Sequence, residues 1–281
     1  MSRRTRSPGV VSMRPRRREG GWVNVCNIDF TKLPDQTMTK NSENTVAGHT
    51  FWMNDVWDTS GDASLAIVNG SGLVANFSGA NNKHCNFLFK GTGIAKLETG
   101  GWPPFRMAMI VSNITFATNN DMIKLVATGH PWEITQRIPM LKATYKRTSA
   151  SANVYHLNQR TGGPYTTGSS ANSSDIASGE PSSLLMQLFM RPETGRWEMG
   201  IIENPQYIPR LPSSSAFTTI AYGRDGRTKL NTTNEGYWDG ASNTGPYLGP
   251  SLLAKSAGGT TESCVITHLL IQKYVGGVDV G

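Results

Sequence analysis

The residues best suited to proton transfer or metal ligation are five histidines, His49, His84, His130, His156 and His268. None pairs with another at the spacing of a zinc site. His84 and Cys85 are adjacent, and adjacent side chains on a strand face opposite ways, which makes joint ligation awkward. Paired carboxylates are sparse: Glu193 and Glu198 flank an expected hairpin and should be solvated, which suits them poorly to acid–base work. No Gly-x-Ser-x-Gly elbow occurs, and no glycine-rich phosphate loop follows a strand and opens a helix; Gly91-Thr92-Gly93 reads as a turn. A Ser-His-Asp set that meets only in space leaves no such signature. These observations point to a protein that is not an enzyme, with no metal site and no cofactor.

The strongest chemical signal is at the N-terminus. Arg3, Arg4, Arg6, Arg14, Arg16, Arg17 and Arg18 lie within the first 21 residues, with no lysine among them and with Glu19 as the sole acid. That segment carries +6 of the formal +7, while the other 260 residues hold 20 basic and 19 acidic groups. The body is nearly neutral, so the basic pI describes an arm, and nucleic acid is a partner for residues 1–21 only. Three uses compete for such an arm. Arginines neutralise phosphates without reading sequence; guanidinium forks pair bidentately with carboxylates on an acidic protein surface; and a charge run can simply solubilise. Arginine without lysine favours the first two, since lysine would serve solubility equally well. Pro8, Gly9 and Pro15 keep the arm extended.

Aromatic residues in loops are the other binding candidates. Trp102 before a Pro-Pro pair, and Tyr237-Trp238 before Asp239, could present platforms to a glycan. The plainer reading is that they cap the ends of the fold or fill a subunit interface, where large contact area is useful.

The elements that would position these groups read as strands. WVNVCNIDF (22–30) puts Cys26, Ile28 and Phe30 on one face, and Leu33-Pro34 stops it. HTFWMNDVW (49–57) follows, then SLAIVNGSGLVANFS (64–78), a hairpin around Asn69-Gly70, and CNFLFK (85–90). FRMAMIVSNITF (105–116) is apolar on both faces, which predicts a strand between two layers. Further strands are expected at 121–128, 184–190, 196–202 and 217–222, with Pro192-Glu193-Thr194-Gly195 turning one hairpin. CVITHLLIQKYV (264–275) alternates as a strand, and its β-branched residues decide against a helix. Low charge and abundant Gly, Ser, Thr and Asn suit short strands joined by polar loops. About eleven strands and no long helix predict an all-β, two-sheet antiparallel β-sandwich over 22–281, preceded by an extended basic N-terminal arm, 1–21. Two polar segments, 158–183 and 223–262, are expected as long loops. Cys26, Cys85 and Cys264 are odd in number and far apart, which predicts buried thiols and no disulfide framework. No secretory signal and no membrane span is read.

The run IDFTKLPDQT, the aromatic strand around HTFWMN, then AIVNGSGLVANFS, and the closing VITHLLIQKY resemble the strands of concanavalin-A-like (laminin-G-like, jelly-roll) β-sandwiches, a module frequent in bacteriophage virion proteins. The resemblance implies that the last strand runs beside the first. The family's calcium and sugar ligands match no residues here, and neither does the glutamate pair of its glycosidases. Arm and resemblance together predict a non-enzymatic virion protein made in the host cytoplasm, a homo-oligomer such as a trimer that decorates or cements a phage capsid. Its partners would be capsid subunits gripped by the seven arginines. The alternatives are a coat protein whose arm binds packaged genome, and a tail or fibre adhesin that binds glycans.

Overall fold

In the computed structural model, the residues described are 20–55, 63–78, 83–91, 94, 104–116, 119–128, 140–149, 152–161, 169–172, 175–192, 196–225, 247–254 and 261–276. Eighteen strands are found among them. The first six are β1 (Gly21–Asp29), β2 (Gln36–Thr37), β3 (Ser42–Val46), β4 (His49–Asp55), β5 (Ala63–Val68) and β6 (Gly72–Ser78). They are followed by β7 (Lys83–Lys90), β8 (Phe105–Thr115), β9 (Met122–Thr128), β10 (Met140–Ser149), β11 (Ala152–Thr161) and β12 (Ser169–Asn172). The last six are β13 (Ile176–Ser178), β14 (Ser183–Met190), β15 (Arg196–Glu203), β16 (Thr218–Asp225), β17 (Tyr247–Ala254) and β18 (Thr261–Val275).

The strands form two antiparallel sheets. Sheet A runs β16-β15-β14-β8-β18-β6-β5-β2, with β1 lying along β18 beyond the end of β6; sheet B runs β12-β11-β10-β9-β17-β7-β4-β3, with β13 along β11. The expected pairing of the first strand with the last is present: Cys26 opposes Ile271 and Ile28 opposes Leu269. The two sheets share one core, in which Met107, Met109, Leu188 and Trp197 of sheet A face Phe87, Leu125, Tyr145 and Leu157 of sheet B. Phe51 stacks on Phe87 at 4.4 Å between centroids, and Phe105 meets Trp197 edge-on at 5.0 Å. Pairs of this geometry add specificity to burial of large apolar area.

The hairpin at Asn69-Gly70 forms as its sequence requires. Gly70 takes φ +78°, and Ser71 N donates to Val68 O at 2.9 Å. The tip is tied down by Asn69 N to Asp35 Oδ1 (2.7 Å) and Gly70 N to Thr31 O (3.0 Å). Thr31 belongs to a 3-10 turn, Phe30–Lys32, that ends β1 ahead of the proline expected to stop it. Asp29 caps this turn, accepting from Thr31 N at 3.2 Å and Thr31 Oγ1 at 2.5 Å. Burial pushes its carboxyl up, but hydrogen bonds from Lys32 and Thr31 and the charges of His268 and Lys32 outweigh that and bring it to about 2, from 3.8. A depressed carboxyl contributes stability that is present above pH ~4 and lost as pH falls toward ~2. Asp29→Asn is expected to lower stability by about 1 kcal/mol at neutral pH, with the gap to the parent closing below pH ~2 in acid-unfolding curves.

Cys26, Cys85 and Cys264 are all buried thiols outside any disulfide, and burial pushes Cys26 and Cys264 up to about 12. At pH 8 their thiolate fraction is therefore on the order of 10⁻⁴. The native protein should react negligibly with Ellman's reagent at those two sites and release three equivalents once unfolded; an immediate equivalent from either would contradict its burial.

Three sequence expectations are corrected. The segment 158–183 is not one loop: it holds the end of β11, β12, β13 and the start of β14. Their Ser, Thr and Asn residues carry no apolar alternation, and β12 and β13 join the sheet through backbone pairing to β11 alone. The segment 223–262 holds β17, a central strand of sheet B despite Pro250. Its ladder to β7 breaks at Gly249-Pro250, between the Leu248–Phe89 and Ser251–Asn86 pairs, so the missing proline N–H falls in that break, while the ladder to β9 runs on through Gly249–Val126 and Pro250–Leu125. Glu198 is not solvated: it is 3% exposed on the outer face of sheet A and paired with Arg191. Among the described residues no helix is long and apolar enough to cross a membrane.

Candidate functional site

Every site residue singled out from the sequence lies outside the described residues: Arg3, Arg4, Arg6, Arg14, Arg16, Arg17 and Arg18 in the arm, and Trp102, Tyr237 and Trp238 in the loops. What the structure does describe is the surface around Gly20 and Gly21, just after the arm in sequence. β1 begins at Gly21 and is paired on one side only among the described residues. Its first residues border a groove of about 1010 Å³ on the outer face of sheet A, walled by β1 and β18 on one side and by residues 206–211 on the other.

That second wall belongs to a strap, 204–217, which crosses the outer face of β8, β14 and β15. β8 is indeed buried on both faces, but the covering layer over Ile110 is this strap: Ile110, Leu185 and Phe217 form a second small cluster, with Ile202 and Ile208 packed against it. Arg106 holds the strap down. It alternates with Ala108 and Ile110, away from the core, and is fully buried. Its Nε donates to Gln187 Oε1 (3.0 Å), Nη1 to Gln272 Oε1 (3.1 Å) and to Arg210 O (3.1 Å), and Nη2 to Pro209 O (2.8 Å). Gln187 Nε2 donates on to Pro212 O (2.7 Å), and Gln272 Nε2 to Asn24 Oδ1 (2.8 Å). Burial lowers the guanidinium to about 10, still protonated at neutral pH. One planar fork, with the two glutamines it orients, thus links three strands of sheet A to three backbone carbonyls of the strap and, through Gln272, to β1.

The groove has a mixed floor, in which Asn24, Asn27 and Gln272 lie beside Ile110 and Leu270, and aromatic rims. Trp22 and Tyr274 meet edge-on at 5.5 Å beside Gly20, and Tyr207 and Leu211 on the strap are exposed. At its far end His268 Nε2 lies 3.5 Å from Asp29 Oδ2, while His268 Nδ1 lies 3.0 Å from Thr267 Oγ1. Hydroxyl, imidazole and carboxylate are in sequence there, but Asp29 commits both oxygens to Thr31, Lys32 and His268, as a helix cap does. Among the described residues no three His, Cys, Asp or Glu side chains gather as metal ligands. The groove thus presents aromatic faces, amide groups and a strap fixed by Arg106.

Neither the strap nor its anchor is among the sequence expectations. A signal for the anchor exists in the chain, since an arginine inside the buried run of β8 demands partners. Trp22 and Tyr274 carry no such signal: each reads as an ordinary strand residue until the groove beside it is seen.

No family model matches the chain, and no curated protein matches it in sequence. Among solved structures the chain is similar to lectin UEA-II complexed with galactose, at a TM-score of 0.50 and 7% identity over 90% of this chain and 99% of that one. It is also similar to a protein of unknown function from Shewanella oneidensis MR-1, at 0.47 and 10% over 85% and 84% of the two chains. A third similarity is to the CBM2 module of the evolved Dit of Lactobacillus casei BL23 phage J-1, at 0.44 and 10% over 94% and 100%. The likeness is one of fold: the two sheets form a concanavalin-A-like sandwich.

Proposed function

We propose that this chain is a non-enzymatic structural protein of a virion, made in the host cytoplasm, that decorates or cements a phage capsid as a homo-oligomer such as a trimer. The observation that carries this reading is the segregation of charge: +6 of the +7 sits in residues 1–21, against a body of 20 basic and 19 acidic groups. The seven arginines grip acidic patches on capsid subunits, and the groove beside Gly21 offers the same partner an aromatic and amide surface at the arm's root. Joining two modest contacts on one chain raises the effective concentration of the second, so neither has to be strong alone.

The experiment is a binding titration of the full chain, and of a full chain with the seven arginines changed to glutamine, against undecorated capsids and against nucleic acid across a salt series. Arm-dependent capsid binding with weak nucleic-acid binding supports the proposal. A steep, arm-dependent salt slope on nucleic acid makes the chain a coat protein with a genome clamp instead. A second reading, glycan binding, is favoured by one observation, the exposed Tyr207 across the groove from Trp22 and Tyr274. It predicts glycan or cell binding that survives loss of the arm.

A further inference from the structure

Between β15 of sheet A and β11 and β13 of sheet B lies a pocket of about 430 Å³, four strands across sheet A from β1. Its walls are apolar: Ile201 and Ile202 of β15 on one side, Ile176 and Ala177 of β13 on the other. Among the described residues of its lining, Glu203 carries the only charge. That carboxylate is held through one oxygen. Tyr155 Oη donates to Glu203 Oε1 at 2.8 Å and Gly179 N at 3.3 Å. Ser178 Oγ lies 3.2 Å from the same oxygen and 2.8 Å from Tyr155 Oη. Tyr155 is itself fixed, being buried and stacked on Tyr145 at 5.0 Å. Oε2 takes none of these bonds, and Glu203 is exposed. A free carboxylate oxygen is thus aimed before anything binds, which lowers the cost of binding.

The charge here is negative and unbalanced. Burial raises both phenols, and carboxylates raise them further: Glu180 and Glu203 at Tyr145, Glu203 at Tyr155. Neither Glu180 nor Glu203 forms an ion pair with a described residue. Apolar walls around a fixed carboxylate fit a cation on an apolar stem, since the stem covers the walls while the head meets the oxygen. The chain supplies that group in its own arm, with seven arginines in residues 1–21.

Distance decides whose arm it is. Strand register sets Glu203 level with Leu184, Val111 and Ile266, nine residues along β18 from Val275, the partner of Gly21. Nine residues and four strand spacings, at about 3.4 Å and about 4.8 Å each, put Glu203 roughly 35 Å from Gly21. An extended chain advances at most about 3.6 Å per residue, so the run Arg16-Arg17-Arg18 cannot reach the pocket of its own copy. Between copies no such limit holds.

We propose that this pocket takes an arginine side chain from the N-terminal arm of a second copy, its stem between Ile176, Ile201 and Ile202 and its guanidinium on Glu203 Oε2. Each copy then gives one arm and offers one pocket, a head-to-tail contact that can close into a ring such as a trimer. The remaining arginines stay available to the capsid. This contact rests on the homo-oligomer proposed above, and no capsid enters its test.

The test is sedimentation velocity on three full-length proteins: the parent, Glu203→Gln, and the variant with the seven arm arginines changed to glutamine. Glutamine keeps an acceptor for Tyr155 and Gly179 while removing the charge, so Glu203→Gln should melt with the parent. The parent should sediment as an oligomer, and each variant should associate at least about tenfold more weakly. A synthetic peptide of residues 1–21 should dissociate the parent, and the same peptide with glutamine for arginine should not. The decisive sample is a mixture of the two variants, one of which keeps the arm and the other the pocket. At concentrations where each alone is monomeric, the mixture should form one-to-one dimers. Variants that stay monomeric when mixed overturn the proposal, because the arm then acts within its own copy or elsewhere. Loss of association in the arm variant with none in Glu203→Gln moves the arm to another surface and overturns it equally. A parent oligomer that neither variant weakens overturns this contact and leaves the homo-oligomer standing; a monomeric parent overturns both.

Discussion

Changing Arg3, Arg4, Arg6, Arg14, Arg16, Arg17 and Arg18 to glutamine in the full chain is expected to weaken binding to undecorated capsids by at least about 100-fold while leaving the melting temperature unchanged. Stability should be indifferent because the sandwich is built from β1 onward: Gly21 opens the first strand, and the core begins at Cys26 and Ile28. Binding should not be indifferent. Charge-assisted guanidinium–carboxylate forks are worth roughly 1.5–3 kcal/mol each where they are well formed. Removing two such forks from a tethered arm already accounts for a hundredfold.

The same variant decides between protein and genome as the arm's partner. Seven arginines on phosphates would release counterions and give a slope of log K against log salt near −6, about −0.9 per phosphate. Arginine–carboxylate pairing is also screened by salt, but it is tied to the capsid and not to any polyanion. The informative pair of measurements is therefore the capsid and a duplex of mixed sequence at one salt concentration. A capsid affinity that survives all seven substitutions would end the decoration reading as stated here.

Fold and site differ in how much of them is legible in the chain. The strands of the core announce themselves wherever period-2 apolar residues run long enough, as at Phe105, Met107, Met109 and Val111 or at Leu184, Met186 and Leu188. β10 and β11 are absent from the expected strands although Leu141, Ala143 and Tyr145 alternate with Lys142, Thr144 and Lys146, because the polar half of the alternation dominates the composition. That polar half faces away from the core, as the buried Leu141, Ala143 and Tyr145 on the other face show. β12 and β13 are illegible: β12 is all Ser, Ala and Asn, and β13 gives the core only one apolar side chain, Ile176, too short a run to show an alternation. The strap is illegible for a different reason. Asn204 to Phe217 carries prolines and serines like any loop, and only the three-dimensional position of Arg106, about a hundred residues earlier, shows it to be a packed layer.

Arg106 is accordingly the residue whose loss should cost the fold most. Arg106→Met keeps the apolar contacts of the stem but removes every donor. It leaves Gln187 Oε1, Gln272 Oε1 and the carbonyls of Pro209 and Arg210 without their partner. The expected loss is about 3 kcal/mol, the lower end of what breaking a buried charged network costs. The burial that lowers the guanidinium to about 10 offsets part of its benefit, so the upper end is not expected. Arg106→Lys should recover little, because an ammonium on a flexible stem cannot meet four acceptors arranged around a planar fork.

The loss should also be local in its first effect. With the anchor gone the strap lifts from Ile110 and Leu185, and proteolytic cleavage within 204–217 should precede global unfolding. A second variant reaches the same end from below. A Cβ on Gly200 would lie 2.6 Å from Gln187 Nε2 and 2.9 Å from Phe217 Cδ1, so Gly200→Val pushes against the strap without touching Arg106. Limited proteolysis followed by mass spectrometry reads both. If Arg106→Met and Gly200→Val unfold globally with the strap still protected, then the strap is part of the cooperative core. If the strap opens first in both, the outer face of sheet A is a separately stabilised layer, and the groove beside the arm can change shape without disturbing the sandwich beneath it.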